Sequence, residues 1–160
     1  MFKEQAEQPW YQTAVIPGLL RHAQRAYGAA MRAALAAIGC DDMPKNGMYV
    51  IGGLAMGAGG VPLSQFVAEL GVSKQAAGQL VDTLVLRGYL DRSIDTEDRR
   101  KLSIKLTTRG EAAAAAQGAA RKRVDAQLAE SVGSECVVEM RRALGALCRM
   151  GRIENDKDDH

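Results

Sequence analysis

"LGVSKQAAGQLVDTLVLRGYLDRSIDTEDRRKLSIKLTTRG", residues 70–110, passes from a helical period to a strand period across one glycine, and that junction decides the fold. From Lys74 to Arg87, the apolar residues Ala76, Leu80 and Leu84 recur every four positions, which predicts a helix with one buried face. Lys74, Gln75, Gly78, Gln79 and Asp82 then share the outer face. Gly88 ends the helix. Beyond it, Leu90 and Ile94, then Leu102, Ile104 and Leu106 alternating with Ser103 and Lys105, predict a β-hairpin packed on one side. Its tip, 95–101, is charged at every position except Thr96.

Working outward, Pro62 opens a short helix with Phe66, Val67 and Leu70 turned inward. Gly71 permits a left-handed turn, and Ser73 is placed to cap the helix that follows. Two helices joined by so tight a turn form a helix-turn-helix, and a hairpin directly after one is a wing. A wing tip loaded with arginine suits a narrow place of negative potential, such as the DNA minor groove. The second helix is then the one to enter the major groove, where Gln75 or Gln79 is able to pair with adenine and Lys74 to reach guanine. Asp95 and Asp98, beside Arg99, are spaced to hold its guanidinium in one orientation. Lys105 and Arg109 are expected on phosphates. Arg99, Arg100, Lys101, Lys105 and Arg109 together form a basic run with no acid among them.

The remaining chain reads as helices. Pro17 suits a first helical position, and Leu20, Ala23, Tyr27, Ala30, Ala34 and Ile38 follow at spacings of three and four until Gly39. Residues 10–16 either extend this helix ahead of a kink or form an arm reaching another subunit. Asp41 or Asp42 as cap, Pro44 in the first turn, and Met48, Ile51, Leu54 and Ala55 on one face predict the next helix. After the hairpin, Thr107 or Thr108 caps a long alanine-rich helix, with Glu111 placed for a capping box with Thr108. Ser134 and Glu135 open a last helix carrying Val137, Met140, Leu144 and Leu147. The tail from Glu154 to His160 holds four acids against one lysine and is expected to be disordered.

Composition narrows the function. With 47% hydrophobic and 25% charged residues over 160 positions, a single globular domain with a real core is expected. Residues 46–68 lack charge but hold six glycines and Pro62, which argues for helix, loop, helix rather than a membrane span. The polar N-terminus "MFKEQAEQPW" has no secretory signature, so the cytoplasm is the expected compartment. Cys40, Cys136 and Cys148 show no metal or disulfide spacing and read as reduced packing residues. The glycines of "GGLAMGAGG" lack the lysine of a phosphate loop, and no nucleophile, base and acid constellation carries a motif. No enzymatic activity, metal or cofactor is expected.

Residues 70–110 resemble the core of the MarR family of bacterial winged-helix regulators, through the wing motif D-x-x-D-R-R at Asp95 to Arg100 and the exit L-T-x-x-G at Leu106 to Gly110. The resemblance implies a mainly α fold with a small β-hairpin wing: a winged helix-turn-helix lobe at 43–110, a helical dimerisation region from 10–42 and 111–151, and the tail at 152–160. It further implies a homodimer on a pseudo-palindromic operator in double-stranded DNA. Carried to matching positions, Arg99 is the minor-groove arginine, Asp95 and Asp98 its supports, and Ser73, Lys74, Gln75 and Gln79 the major-groove face. Gly78 and Gln79 depart from the family, whose members often carry Thr or Ser and Arg there. Family members commonly repress operons and are released by small aromatic or phenolic effectors or by thiol oxidation. The corresponding ligand pocket draws here on Arg21, His22, Arg25, Tyr27, Met48 and Tyr49, with Trp10 and Tyr11 as its cap, and the 4% aromatic content argues for a small one or none. The rival reading is a winged-helix module that meets a protein through the face from Lys74 to Asp82, favoured by low net charge and by Asp82 itself. A third is thiol-oxidation sensing through Cys40, which the acidic neighbours Asp41 and Asp42 oppose.

Overall fold

The computed structural model describes residues 9–56, 73–94 and 102–158. Its elements are α1 (Trp10–Thr13), α2 (Ile16–Ala37), α3 (Gly47–Met56), α4 (Lys74–Leu86), β1 (Leu90–Ile94), β2 (Leu102–Leu106), α5 (Thr108–Val132) and α6 (Ser134–Asp158). The chain divides into two compact units, residues 1–121 and 122–160. The expected helix at 62–70 and the hairpin tip at 95–101 lie outside the described residues. Among the described residues, no helix is long and apolar enough to cross a membrane.

The first unit is built around one core. Met31 and Leu35 of α2, Cys40, Met48, Val50 and Ile51 around α3, Val81 and Leu84 of α4, Tyr89, Leu90, and Ala113, Ala114 and Ala120 of α5 are all buried in it. The hairpin is antiparallel, pairing Leu90 with Leu106, Asp91 with Lys105 and Arg92 with Ile104. Leu106 and Ile104 pack on the core, as the alternation requires. Where α3 and α5 approach, Gly52 leaves room that a Cβ would fill, 3.1 Å from Arg121 Nη1. Gln117 is fully buried there, and its side-chain amide has no hydrogen-bond partner among the described residues.

Several local expectations are corrected. Residues 10–16 hold a separate short helix: α1 ends at Ala14 in extended backbone, and α2 starts with Pro17 in its first turn. The face of α2 buried within the chain is Gly28, Met31 and Leu35, whereas Leu20 and Ile38 remain exposed. Helix α3 begins at Gly47, three residues after Pro44, because 41–46 form turns, and Asp42 serves another purpose described below. In α4, Leu84 and Val81 are buried and Leu80 and Val85 half-buried, but Ala76 is exposed, so the buried stripe lies further along the helix than expected. Thr107 caps α5: its Oγ1 accepts from the Gly110 N–H at 3.0 Å, which leaves no capping box between Thr108 and Glu111.

In the second unit, Gly133 at φ +86° separates α5 from α6. Val137 and Leu144 are half-buried, and Val138, Met140, Leu147 and Met150 are exposed. Cys136 and Cys148 are exposed, unlike buried Cys40, so they do not serve as packing residues within the chain. Residues 152–158, expected as a disordered tail, continue α6. No Gly or Pro follows Gly151 to stop the helix, and charge alone does not end one.

Candidate nucleic-acid interface

Ser73 sits at the N-cap of α4 in extended backbone, φ −62° and ψ 154°, and its hydroxyl oxygen accepts from the Ala76 N–H at 3.2 Å. This fixes where α4 begins and therefore which residues face outward. Gln75, Gly78, Gln79 and Asp82 are exposed together, as the period of 3.6 dictates. A Cβ at Gly78 would meet nothing within 4 Å, so the middle of this face is open to close approach. Thr83 points its hydroxyl back along the helix, donating to the Gln79 carbonyl at 2.8 Å, and leaves the Gln79 side chain unconstrained by that bond. Lys74 is the first residue of α4.

The hairpin adds charge beside this face. Lys105 is exposed on β2 opposite Asp91. Arg92 of β1 forms an ion pair and hydrogen bond with Asp82 of α4, linking strand to helix. Arg99, Arg100 and Lys101, with their expected supports Asp95 and Asp98, fall outside the described residues.

Behind the face lies a polar cluster that the sequence reading missed. Tyr89, fully buried by its ring, donates its hydroxyl to Asp42 Oδ1. Arg109 donates to the same oxygen at 2.9 Å, to the Arg87 carbonyl at 2.6 Å and to the Gly39 carbonyl at 3.2 Å. Its guanidinium carbon also stands 4.4 Å from the centre of the Tyr89 ring. Arg87 donates to the Asp42 carbonyl. Thr107 closes the base of the hairpin, its hydroxyl donating to the Gly88 carbonyl at 2.5 Å and its N–H to the Tyr89 carbonyl at 3.1 Å. The cluster thus ties the turn before α3, the end of α4, the start of β1 and the start of α5 into one block. Arg109, expected on a phosphate, is engaged by these partners. One signal was available: Tyr89 and Leu90 are adjacent and both apolar, which a strand with one buried face does not explain.

The electrostatics follow from the geometry. The Tyr89 hydroxyl and the arginines Arg109 and Arg87 hold the Asp42 carboxyl below its ordinary value of 3.8. Burial, then the bond to Asp42, pushes the Tyr89 phenol well above its ordinary range. A depressed carboxylate stabilises the fold fully above its unfolded pKa and loses that contribution as pH falls through the folded value. Wild-type stability is therefore expected to start declining as pH drops below 3.8, and Asp42→Asn to show a flatter profile over that window. Urea midpoints measured from about pH 5 to about pH 3 check this, and identical slopes in both proteins would sink it.

The residues expected around a ligand do not share one environment. Met48 is 3% exposed and packed in the core, Tyr27 is half-buried, and Arg21, His22, Arg25 and Tyr49 are exposed. Trp10 meets Tyr11 and His22 edge to face, with ring centres 6.2 and 6.5 Å apart, and both aromatics remain largely exposed. Among the described residues, no group of three His, Cys, Asp or Glu side chains is placed to hold a metal.

Comparison with known proteins agrees with this architecture. Residues 42–101 match the family model MarR_2, which describes the MarR family. The chain is similar to FabT of Streptococcus pneumoniae solved in complex with DNA, at 21% identity and TM-score 0.72, covering 89% of this chain and 97% of that one. It is also similar to S. aureus MepR in a DNA complex, at 17% identity and TM-score 0.68 over 86% and 98% of the two chains. The reduced form of MarR from E. coli is similar at 18% identity and TM-score 0.64, over 84% and 96%. At these identities the likeness establishes the fold. No curated protein sequence matches the chain.

Proposed function

We propose that this chain, which has the fold of the MarR-family transcription regulators, acts as a homodimeric, sequence-specific DNA-binding regulator and represses from a pseudo-palindromic operator. In this reading α4 enters the major groove and the wing, 90–106, the minor groove. The observation that carries it is the exposed, polar and sterically open face of Gln75, Gly78 and Gln79 on a capped helix, with a hairpin tied directly beside it. Members of the family are transcription regulators rather than enzymes. In this reading Ser73, Lys74, Gln75 and Gln79 form the major-groove face, Lys105 meets a phosphate, Arg100 and Lys101 belong to the DNA-binding wing, and Arg99 enters the minor groove with Asp95 and Asp98 in support.

Dimerisation through 10–42 and 111–151 is supported by apolar side chains left exposed on the single chain, Leu20 on α2, Ile38 just after it, and Val138, Met140 and Leu147 on α6. Two half-sites about 10 bp apart then match two lobes. A small aromatic or phenolic effector that releases the operator belongs to the same reading, with Arg21, His22, Arg25 and Tyr49 as its exposed candidates. The rival protein-docking reading loses ground because Asp82, its main support, is countered by Arg92.

The test is binding of the purified protein to the duplex from its own upstream intergenic region across a salt series, with a scrambled duplex as control. Specific binding that weakens steeply with salt is expected. Arg99→Ala should weaken it by roughly 1–3 kcal/mol and flatten the log–log salt slope by about 1. Equal affinity with an unchanged slope in that variant would remove Arg99 from the interface.

A further inference from the structure

The ion pair between Asp82 and Arg92 joins the outer face of α4 to β1. Both side chains are substantially exposed, 62% and 41%, so the pair adds little to folding stability. Its consequence must lie in where it leaves charge. Arg92 has the same strand parity as buried Leu90, which turns it toward the α4 side of the hairpin, while Asp91 and Lys105 face each other on the opposite side. Arg92 is therefore the strand residue positioned beside the groove-reading helix, and Asp82 holds it there.

We propose that Asp82 is a specificity-determining residue of the DNA-binding face, acting by withholding Arg92 from the phosphate backbone; this rests on the DNA-binding reading above. A free arginine at that position makes a paired contact with any phosphate, whatever the sequence. Such a contact strengthens binding to all duplexes alike and dilutes discrimination by Gln75 and Gln79. Held by Asp82, the guanidinium has its Nη2 donor engaged, and the carboxylate adds a negative charge that a polyanion must approach. Sequence-independent attraction falls on both counts. The contacts to base edges are left to decide which duplex is retained.

The experiment compares wild type, Asp82→Asn, Arg92→Gln and the double variant on the upstream duplex and on a scrambled duplex, each across a salt series. Thermal melts of all four should nearly coincide, because the pair is exposed. Asp82→Asn is expected to tighten scrambled-duplex binding about tenfold at low salt and to steepen its slope by about 1, the amount for one added phosphate contact. The ratio of specific to non-specific affinity should fall in the same variant. Adding Arg92→Gln should return the scrambled-duplex affinity and slope to wild type, which a purely structural role for Asp82 would not produce. An unchanged slope and ratio in Asp82→Asn, with wild type still binding its upstream duplex specifically, would overturn this proposal alone. Wild type without salt-steep binding to any duplex would overturn the DNA-binding reading, and this proposal with it.

Discussion

Gly110→Ala is expected to destabilise the protein by about 3 kcal/mol or more, although the same change inside most helices stabilises by up to about 1 kcal/mol. Gly110 lies in the first turn of α5, where an added Cβ would stand 2.1 Å from the Tyr89 carbonyl oxygen. That oxygen is main chain and already accepts from the Thr107 N–H, so it has no rotamer by which to yield. Either α5 or the start of β1 must move, and both are fixed by Thr107. For a chain of this size, the loss corresponds to a fall in melting temperature of about 10 °C. Gly78→Ala is the internal control, since a Cβ there meets nothing and should raise stability. Urea denaturation of both variants decides the matter: a Gly110→Ala protein as stable as wild type would show that helix and strand are not locked together.

Tyr89→Ala should cost about 3–5 kcal/mol, the range for emptying a large buried ring site. Tyr89 is fully buried, its ring lies under Arg109 and its hydroxyl bonds Asp42. Tyr89→Phe separates these contributions, keeping the ring and removing only the hydroxyl. Because the acceptor is charged, that smaller change should cost about 1.5–3 kcal/mol less a discount for the exposed side of Asp42. It should also let the Asp42 carboxyl return toward its ordinary value, since Tyr89 is the largest cause of its depression. If Phe and Ala proved equally damaging, the hydroxyl rather than the packing of the ring would carry the cluster.

Much of the fold was legible because its determinants are local. The capping hydroxyl of Ser73, the stop at Gly88 and the alternation from Leu102 to Leu106 each act within a few residues, and each is found as the spacing implies. The open face of α4 follows from the same periodicity. What could not be read depends on partners far apart in the chain. Asp42 looked like a helix cap because aspartate before Pro44 usually is one, yet its carboxylate is engaged by Tyr89 and Arg109, 47 and 67 residues away. Arg109 looked like a phosphate ligand because it closes a basic run. On α2, two apolar stripes overlap, and nothing local says that Met31 and Leu35 pack inward while Leu20 and Ile38 stay outside.

Arg109 also shows how unevenly this block is exposed to mutation. Of its four partners, two are main-chain carbonyls, at Gly39 and Arg87, which any residue type supplies. A saturation scan should therefore find that those two acceptors survive substitution wherever the backbone does, while almost every replacement of Arg109 itself fails. One side chain thus gathers constraint from four positions, two of which offer it only main chain.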